Sequence, residues 1–417
     1  MPRLSTPSLL RANRGFRDFW TGQTISLFGD QISLLAIPLL AALELDAGPA
    51  QMGMLTAAAL VPNLLFSIHL GAWVDRRSHR KQLLIATDLG RALLLLTIPV
   101  AALFGALSLA QLYVVAFAAG SLGVLFQVAY NVVFVALLDR DEYIEGSSLL
   151  NGSRAVSSVA GDGTAGLLVQ LFTAPFALLV DAFSYLASAF FVNRADAVEP
   201  ATEQTPEPGG LAAGGRFIAR TPLIRASLLA SATLNLFNTA FYALLVLYAT
   251  QHLGISAGAL GLALAVGGFG SLIGAMLTRR LSSRFGLGKT LVVAFVLTPA
   301  PLLIVPMAAG APHFSVALLA LAEFFNGLGV MVLDVGLGAL YAALVPDLLR
   351  ARVSGAFLLV NYGVRPIGAL AGGLLAAAIG LQPTMWIAAI GALAGVLWLL
   401  PSPMPRLRDL PRTAVDY

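Results

Sequence analysis

Apolar runs of about 20 residues recur along the whole 417-residue chain, and no other feature narrows its fold so far. As helix, about 20 residues cross roughly 30 Å of hydrocarbon. Such runs fall near 19–42, 51–74, 82–104, 109–138, 146–171 and 174–193, and again near 224–249, 257–278, 289–308, 314–345, 352–379 and 383–400. Twelve spans follow. The alternative, a soluble globule, is excluded by composition: 58% of side chains are hydrophobic and 11% charged, against about 25% charged in a soluble domain. The runs lack the short alternating segments of an outer-membrane barrel, so the expected fold is an all-α polytopic membrane protein. The 41 glycines suit close helix contact in lipid.

The basic residues orient these spans. Of the 25 Lys and Arg, only Arg91, Arg154 and Arg365 fall well inside runs; the other 22 fall in the N-terminal arm, alternate loops, the central linker and the tail, Arg225, Lys289 and Arg352 at the very start of a run. By the positive-inside rule both termini are then cytoplasmic. The first run is too long for a cleavable signal and has no small-residue cleavage site, so it reads as a retained anchor. With no cysteine, disulfides, thiolate metal sites and cysteine catalysis are excluded.

Composition changes sharply once. Residues 194–222, "RADAVEPATEQTPEPGGLAAGGRFIARTP", replace apolar runs by Pro, Glu, Gly and Thr. This reads as a polar cytoplasmic linker between an N-terminal six-helix bundle (1–193) and a C-terminal one (223–400), followed by a cytoplasmic tail (401–417). The halves echo each other: "GAWVDRRSHRK" from Gly71 recurs as "GAMLTRRLSSRFGLGK" from Gly274, with Gly71/Gly274, Arg76/Arg279 and Arg77/Arg280 at one offset. Parallel six-helix repeats are a transporter architecture.

The knot of Gly71, Asp75, Arg76, Arg80 and Lys81, with His79 in the intervening stretch, resembles the loop 2–3 signature of the major facilitator superfamily. The stretch "FRDFWTGQTISLFGDQISLLAIPLL" (16–40) resembles the first helix of its drug-exporting branch, which includes macrolide-efflux and enterobactin-exporter proteins. The resemblance covers nearly the whole chain. It implies that Asp75 meets helix 11 and latches a cytoplasmic gate in the outward-open state. Asp75 also ends a helix whose own dipole disfavours a carboxylate, so Arg76, Arg77, Arg80 or a neighbouring helix N-terminus must compensate. The competing reading is a plain positive-inside anchor, with Arg80 and Lys81 facing lipid phosphates.

Three departures from the family pattern are visible. Thr278 stands where the second repeat could carry the Asp, span 4 lacks the Arg of many proton antiporters, and Asp162 replaces a Pro in "GDGTAG" (161–166). The usual coupling residues are therefore missing.

Polar groups inside spans are costly and mark cavities or partners. Span 1 has Gln23 and Asp30; span 4 has Gln127, Tyr130 and Asn131; span 7 has Asn235, Asn238 and Tyr242; span 10 has Glu323, Asn326 and Asp334. Helical spacing puts each set on one face. The resemblance implies that these four helices line the central cavity. The competing reading makes each amide interhelical glue. Asp181 and Arg154 read as members of structural pairs, and Asp162 and Arg365 as either. Asp30, about eleven residues into span 1, and Glu323, about nine into span 10, both fall near mid-bilayer. Either is the expected proton carrier, unless Arg365 permanently neutralises one of them.

The sequence therefore points to a plasma-membrane exporter of amphiphilic, drug-like small molecules, working by alternating access with proton antiport as its expected coupling. Alternatives are a siderophore or lysolipid exporter, a metal-ion transporter using Asp30, or a non-transporting receptor or scaffold. No nucleophile–base set, H-E-x-x-H or P-loop is present, so neither enzyme chemistry nor direct ATP use is expected. The scattered histidines have no metal spacing. The expected partners are the substrate, protons and the bilayer, with no cofactor, no metal and no nucleic acid, in a monomer.

Overall fold

A computed structural model describes residues 8–75, 79–195, 210–308 and 310–409. Among them there are helices and no strand. The helices are α1 (Ser8–Ala12), α2 (Arg14–Leu43), α3 (Pro49–Asp75), α4 (Arg80–Leu103), α5 (Leu109–Ala136), α6 (Tyr143–Leu171) and α7 (Ala174–Arg194). They continue as α8 (Gly210–Arg220), α9 (Pro222–Leu247), α10 (Ala257–Phe285), α11 (Leu287–Leu297), α12 (Pro312–Leu344), α13 (Asp347–Ile379) and α14 (Leu381–Leu393). Omitting α1 and α8, these are the twelve expected spans.

Eleven spans are long and apolar enough to cross a membrane, some counted with short π or 3₁₀ extensions. The other, α6, has 29 residues but carries Glu145, Arg154 and Asp162. The boundaries follow local chemistry. Asn13, Ser108, Thr173 and Ser256 cap α2, α5, α7 and α10, each side-chain oxygen accepting from a backbone N–H three residues on. α11 gives way to a 3₁₀ segment, Ala300–Met307, where Pro299 and Pro301 withhold the amides an α-helix needs.

The chain forms two compact units, one of residues 1–45 and 61–205 and the other of 46–60 and 206–417. The sequence division assigns span 2 whole to the first bundle, whereas packing groups its opening turns with the second unit. Within that second unit, a Cβ on Gly53 would lie 2.5 Å from Ala369 O, and Ala57 joins Ala243 and Ala369 in a small buried cluster.

In the first unit α2 packs on α6 and α7, and α4 on α5 and α7. Phe16, Phe19, Leu84, Tyr130 and Val133 belong to one buried hydrophobic cluster of this unit. In the second unit α10 runs against α12 so tightly that a Cβ on Gly270 would sit 1.9 Å from Phe324 O. Small residues admit this approach, as lipid-embedded helices require.

Two stretches differ from their expected character. The linker contains α8, whose Ile218 is buried in the second unit's core beside Leu223 and Leu344; residues 196–209 lie outside the described part. Phe217 and Ile218 give that short segment an apolar face, which its Pro- and Glu-rich neighbours concealed. The tail begins as packed structure: Met404 and Leu407 are buried, and Leu407 O and Arg408 O accept hydrogen bonds from Gly288 N and Leu287 N, both at 2.9 Å.

Candidate functional site

A ladder of polar residues on α2 faces α7. Gln23 and Ser26 are buried, and Gln23 Nε2 donates to Ser188 Oγ at 3.4 Å. Further along, Tyr185 Oη donates to Asp30 Oδ1 and Ser33 Oγ donates to Asp181 Oδ2. On α7 itself Ser184 Oγ donates to Asp181 Oδ1 at 2.9 Å. Asp181, Ser184, Tyr185 and Ser188 recur at helical spacing and form one face.

α4 supplies the compensating charge. Arg91 Nη2 lies 2.5 Å from Asp88 Oδ1, and both side chains are almost fully buried. The Arg91 guanidinium is held between two rings, 4.4 Å from the Phe126 centroid and 4.3 Å from that of Tyr185. Such stacking suits the planar, weakly hydrated guanidinium. Asp88 Oδ2 and Arg91 Nε are buried without a hydrogen-bond partner.

Beside this network lies a cavity of about 210 Å³ lined by Gln23, Asp30, Arg91, Gln127, Tyr130 and Arg154, among others. Tyr130 is buried, stacked on Phe134 and paired with the exposed Arg154. Gln127 is exposed at the cavity rim, while Asn131, also exposed, is not among its lining residues. The α5 stripe therefore separates: Tyr130 joins an aromatic core and only Gln127 supplies an amide. Its three residues span more of the helix circumference than one narrow face.

The second unit is built on amides. Tyr242 Oη lies 2.9 and 3.1 Å from the two Glu323 carboxylate oxygens and 3.1 Å from Asn326 Oδ1. Asn326 Nδ2 donates to Thr298 O at 2.8 Å. One turn before Asn238, Asn235 Nδ2 donates to Asn361 Oδ1 at 2.9 Å, and Arg365 Nε donates to Asn235 Oδ1 at 3.1 Å. Arg365 also lies over the Tyr362 ring at 4.8 Å. Its electrostatic partner on α12 is Asp334, which is exposed. Asn238 Oδ1 is buried without a hydrogen-bond partner.

The gate motif is only partly described. Gly71 and Asp75 belong to the last turns of α3, but the Asp75 side chain and all of Arg76 lie outside the described residues. Arg80 is buried, its Nε donating to Val74 O at 3.5 Å; Lys81 is half-buried. In the matching second repeat Thr278 is buried and Thr278 Oγ1 donates to Gly274 O at 2.7 Å.

Sequence reasoning did not gather Asp88, Ser184, Tyr185 and Ser188 into the site. Two signals were present: an Asp and an Arg three apart inside span 3, and the four-residue polar face of span 6. Asp181, read as part of a structural pair, has serine partners, and Arg154 pairs with Tyr130. Among the described residues no three His, Asp or Glu side chains are gathered closely enough to hold a metal ion.

Two bundles of membrane-length helices with buried polar networks define a secondary-transporter architecture, and solved structures share it. A bacterial homologue of the iron transporter ferroportin in an inward-facing state matches at TM-score 0.75, with 18% identity over 95% of this chain and 99% of its own. The nucleoside transporter NupG matches at TM-score 0.67 and 14% identity, over 93% of this chain and 98% of its own. Residues 6–416 match the transmembrane secretion effector family, and the chain belongs to that family of major facilitator superfamily transporters. Among curated relatives, the uncharacterized MFS-type transporter YfiS of Bacillus subtilis is 26% identical over 90% of this chain and 89% of its own. The multidrug efflux pump Tap of Mycolicibacterium fortuitum is 26% identical over 92% and 93%. The chain is thus a transporter and not an enzyme.

Proposed function

We propose that this transporter exports amphiphilic, drug-like molecules by alternating access, in exchange for protons, across a plasma membrane with both termini cytoplasmic. The observation that carries the reading is the cavity beside Asp30, where an ionisable group meets amides, an aromatic ring and Arg91 inside a helical bundle. A carboxylate in such a place takes up and releases a proton as access changes sides. Likeness to the Tap pump supports drug export, and the placement of 22 basic residues in the N-terminal arm, alternate loops, linker and tail supports the orientation. Glu323 is the other carboxylate at comparable depth along its span, and Tyr242, which also reaches Asn326, orients it towards a role in substrate placement. Asp75 keeps its proposed role as a gate latch. The bilayer and protons are then the partners of a monomer.

The test is transport by the purified full chain in vesicles loaded with ethidium, a lipophilic cation. Efflux should follow an imposed pH gradient and fall at least about tenfold in Asp30→Asn, with ethidium binding retained. Gradient-driven efflux that persists in both Asp30→Asn and Glu323→Gln would remove both carboxylates as carriers.

A further inference from the structure

Hydrogen bonds fix how α2 and α6 lie against each other. Trp20 Nε1 donates to Leu149 O at 3.4 Å, and the Thr24 and Ser153 hydroxyls meet at 2.8 Å. Both pairs are 129 residues apart in the chain, so the two helices run parallel in one register. That register sets Arg154 of α6 level with position 25 of α2, short of Asp30 by somewhat more than one helical turn. At 1.5 Å per residue the two charged side chains leave their helices about 7.5 Å apart along the axis.

Both side chains line the cavity of about 210 Å³, yet among the described residues no ion pair joins them. Arg154 is exposed and reaches Tyr130; Asp30 is half-buried, its Oδ1 accepting from the Tyr185 hydroxyl. A guanidinium carries five donors and a carboxylate about four lone-pair sites, so each keeps unused capacity at the cavity wall. Arg91 also lines that wall. Asp88 balances its charge at 2.5 Å, while its buried Nε has no hydrogen-bond partner. A buried donor of this kind calls for an acceptor. What the cavity offers a ligand is therefore one anion and one cation held apart, a spare donor beside them, and apolar wall from Leu27 and Phe126. A lone lipophilic cation would leave Arg154 and Arg91 Nε unanswered, and a lone anion would face Asp30.

We propose that this cavity binds the zwitterionic head of an amphiphile, an α-amino-acid group whose ammonium meets Asp30 and whose carboxylate meets Arg154, with Arg91 Nε as the further donor. Two charge-assisted hydrogen bonds of about 2.8 Å each take up most of the axial offset, and the remainder suits the short separation between the charges of such a head. The cavity volume admits the head and little more, so the apolar part of the molecule lies beyond it. An ammonium at Asp30 competes with a proton there, which makes substrate and proton alternative occupants of one carboxylate. This names the substrate class of the proposed site and rests on that reading only for transport.

Fluorescence titration of the full chain in lipid nanodiscs, read over empty nanodiscs, tests this with Nε-dansyl-lysine, whose free α-amino and α-carboxyl groups form such a head. Its methyl ester lacks the anion and its Nα-acetyl derivative lacks the cation. The native chain should bind the zwitterion at least about tenfold more tightly than either derivative. Arg154→Gln should erase the advantage over the ester, and Asp30→Asn the advantage over the acetyl derivative. Should Asp30→Asn fail to fold, Arg154→Gln, at an exposed position, decides alone. Equal binding of all three compounds by the native chain overturns the proposal, and so does a preference that survives the substitutions. Equal binding beside gradient-driven ethidium efflux removes the zwitterionic head and leaves the transport reading; selective binding without efflux supports the head and removes only the coupling.

Discussion

The two units solve the same problem, polar side chains inside apolar helices, by different chemistry. The first gathers Asp30, Asp88, Asp181 and Arg91 behind aromatic rings. The second places Glu323 beside a tyrosine that also reaches an amide, and ties Arg365 to another amide, with the exposed Asp334 as its electrostatic partner. Charges interact over distance and respond to protons, whereas amides demand short, directed contacts and ignore pH across the physiological range. Related helical positions therefore do not imply related chemistry: the first unit concentrates charge and the second directed amide contacts.

Substitutions should break this contrast unequally. The largest effect is expected from Arg91→Ala, which leaves Asp88 buried without its counterion at a cost of about 3–5 kcal/mol. Thermal unfolding in detergent should show a marked loss of stability; an unchanged Tm would mean that the first unit does not rely on its ion pair. Next comes Gly270→Leu, which strikes packing in the second unit. Forcing α10 away from α12 should cost about 1–3 kcal/mol or more, visible as reduced Tm and reduced yield of monodisperse protein. Asn235→Ala should cost about 1–3 kcal/mol by stripping Arg365 Nε of its acceptor. Restoring the contact with Asn235→Asp should recover stability if the amide oxygen is what matters. The smallest effect belongs to Tyr242→Phe, about 0.6 kcal/mol for one hydrogen bond between membrane helices. Ethidium affinity should fall more than Tm in that variant, and equal loss of both would make Tyr242 a packing residue.

The succession of long apolar helices was legible from sequence because membrane thickness sets run length. Helix rotation is less legible. Lipid and protein interior are equally apolar, so hydrophobic periodicity does not say which face of a span meets its neighbours. Tyr130 and Asn131 are adjacent in a polar stripe, yet one enters an aromatic core and the other is exposed. The same indifference hid the α7 face, where Ser184 and Ser188 resemble the small residues that merely ease packing until Asp181 is seen among them. Arg365 was weighed as a partner for Asp30 or Glu323, whereas its described contacts are Asn235, Tyr362 and Asp334.

The carbonyls of Leu407 and Arg408 complete the first turn of α11, more than a hundred residues upstream in the chain. During synthesis these two amides can meet those carbonyls only after residue 408 has been made. The α10–α11 corner is therefore completed after every span of the second unit described above. Fusions placed beyond residue 409 leave the seal intact, while a stop codon at Met404 would release a chain with every span present and that corner open.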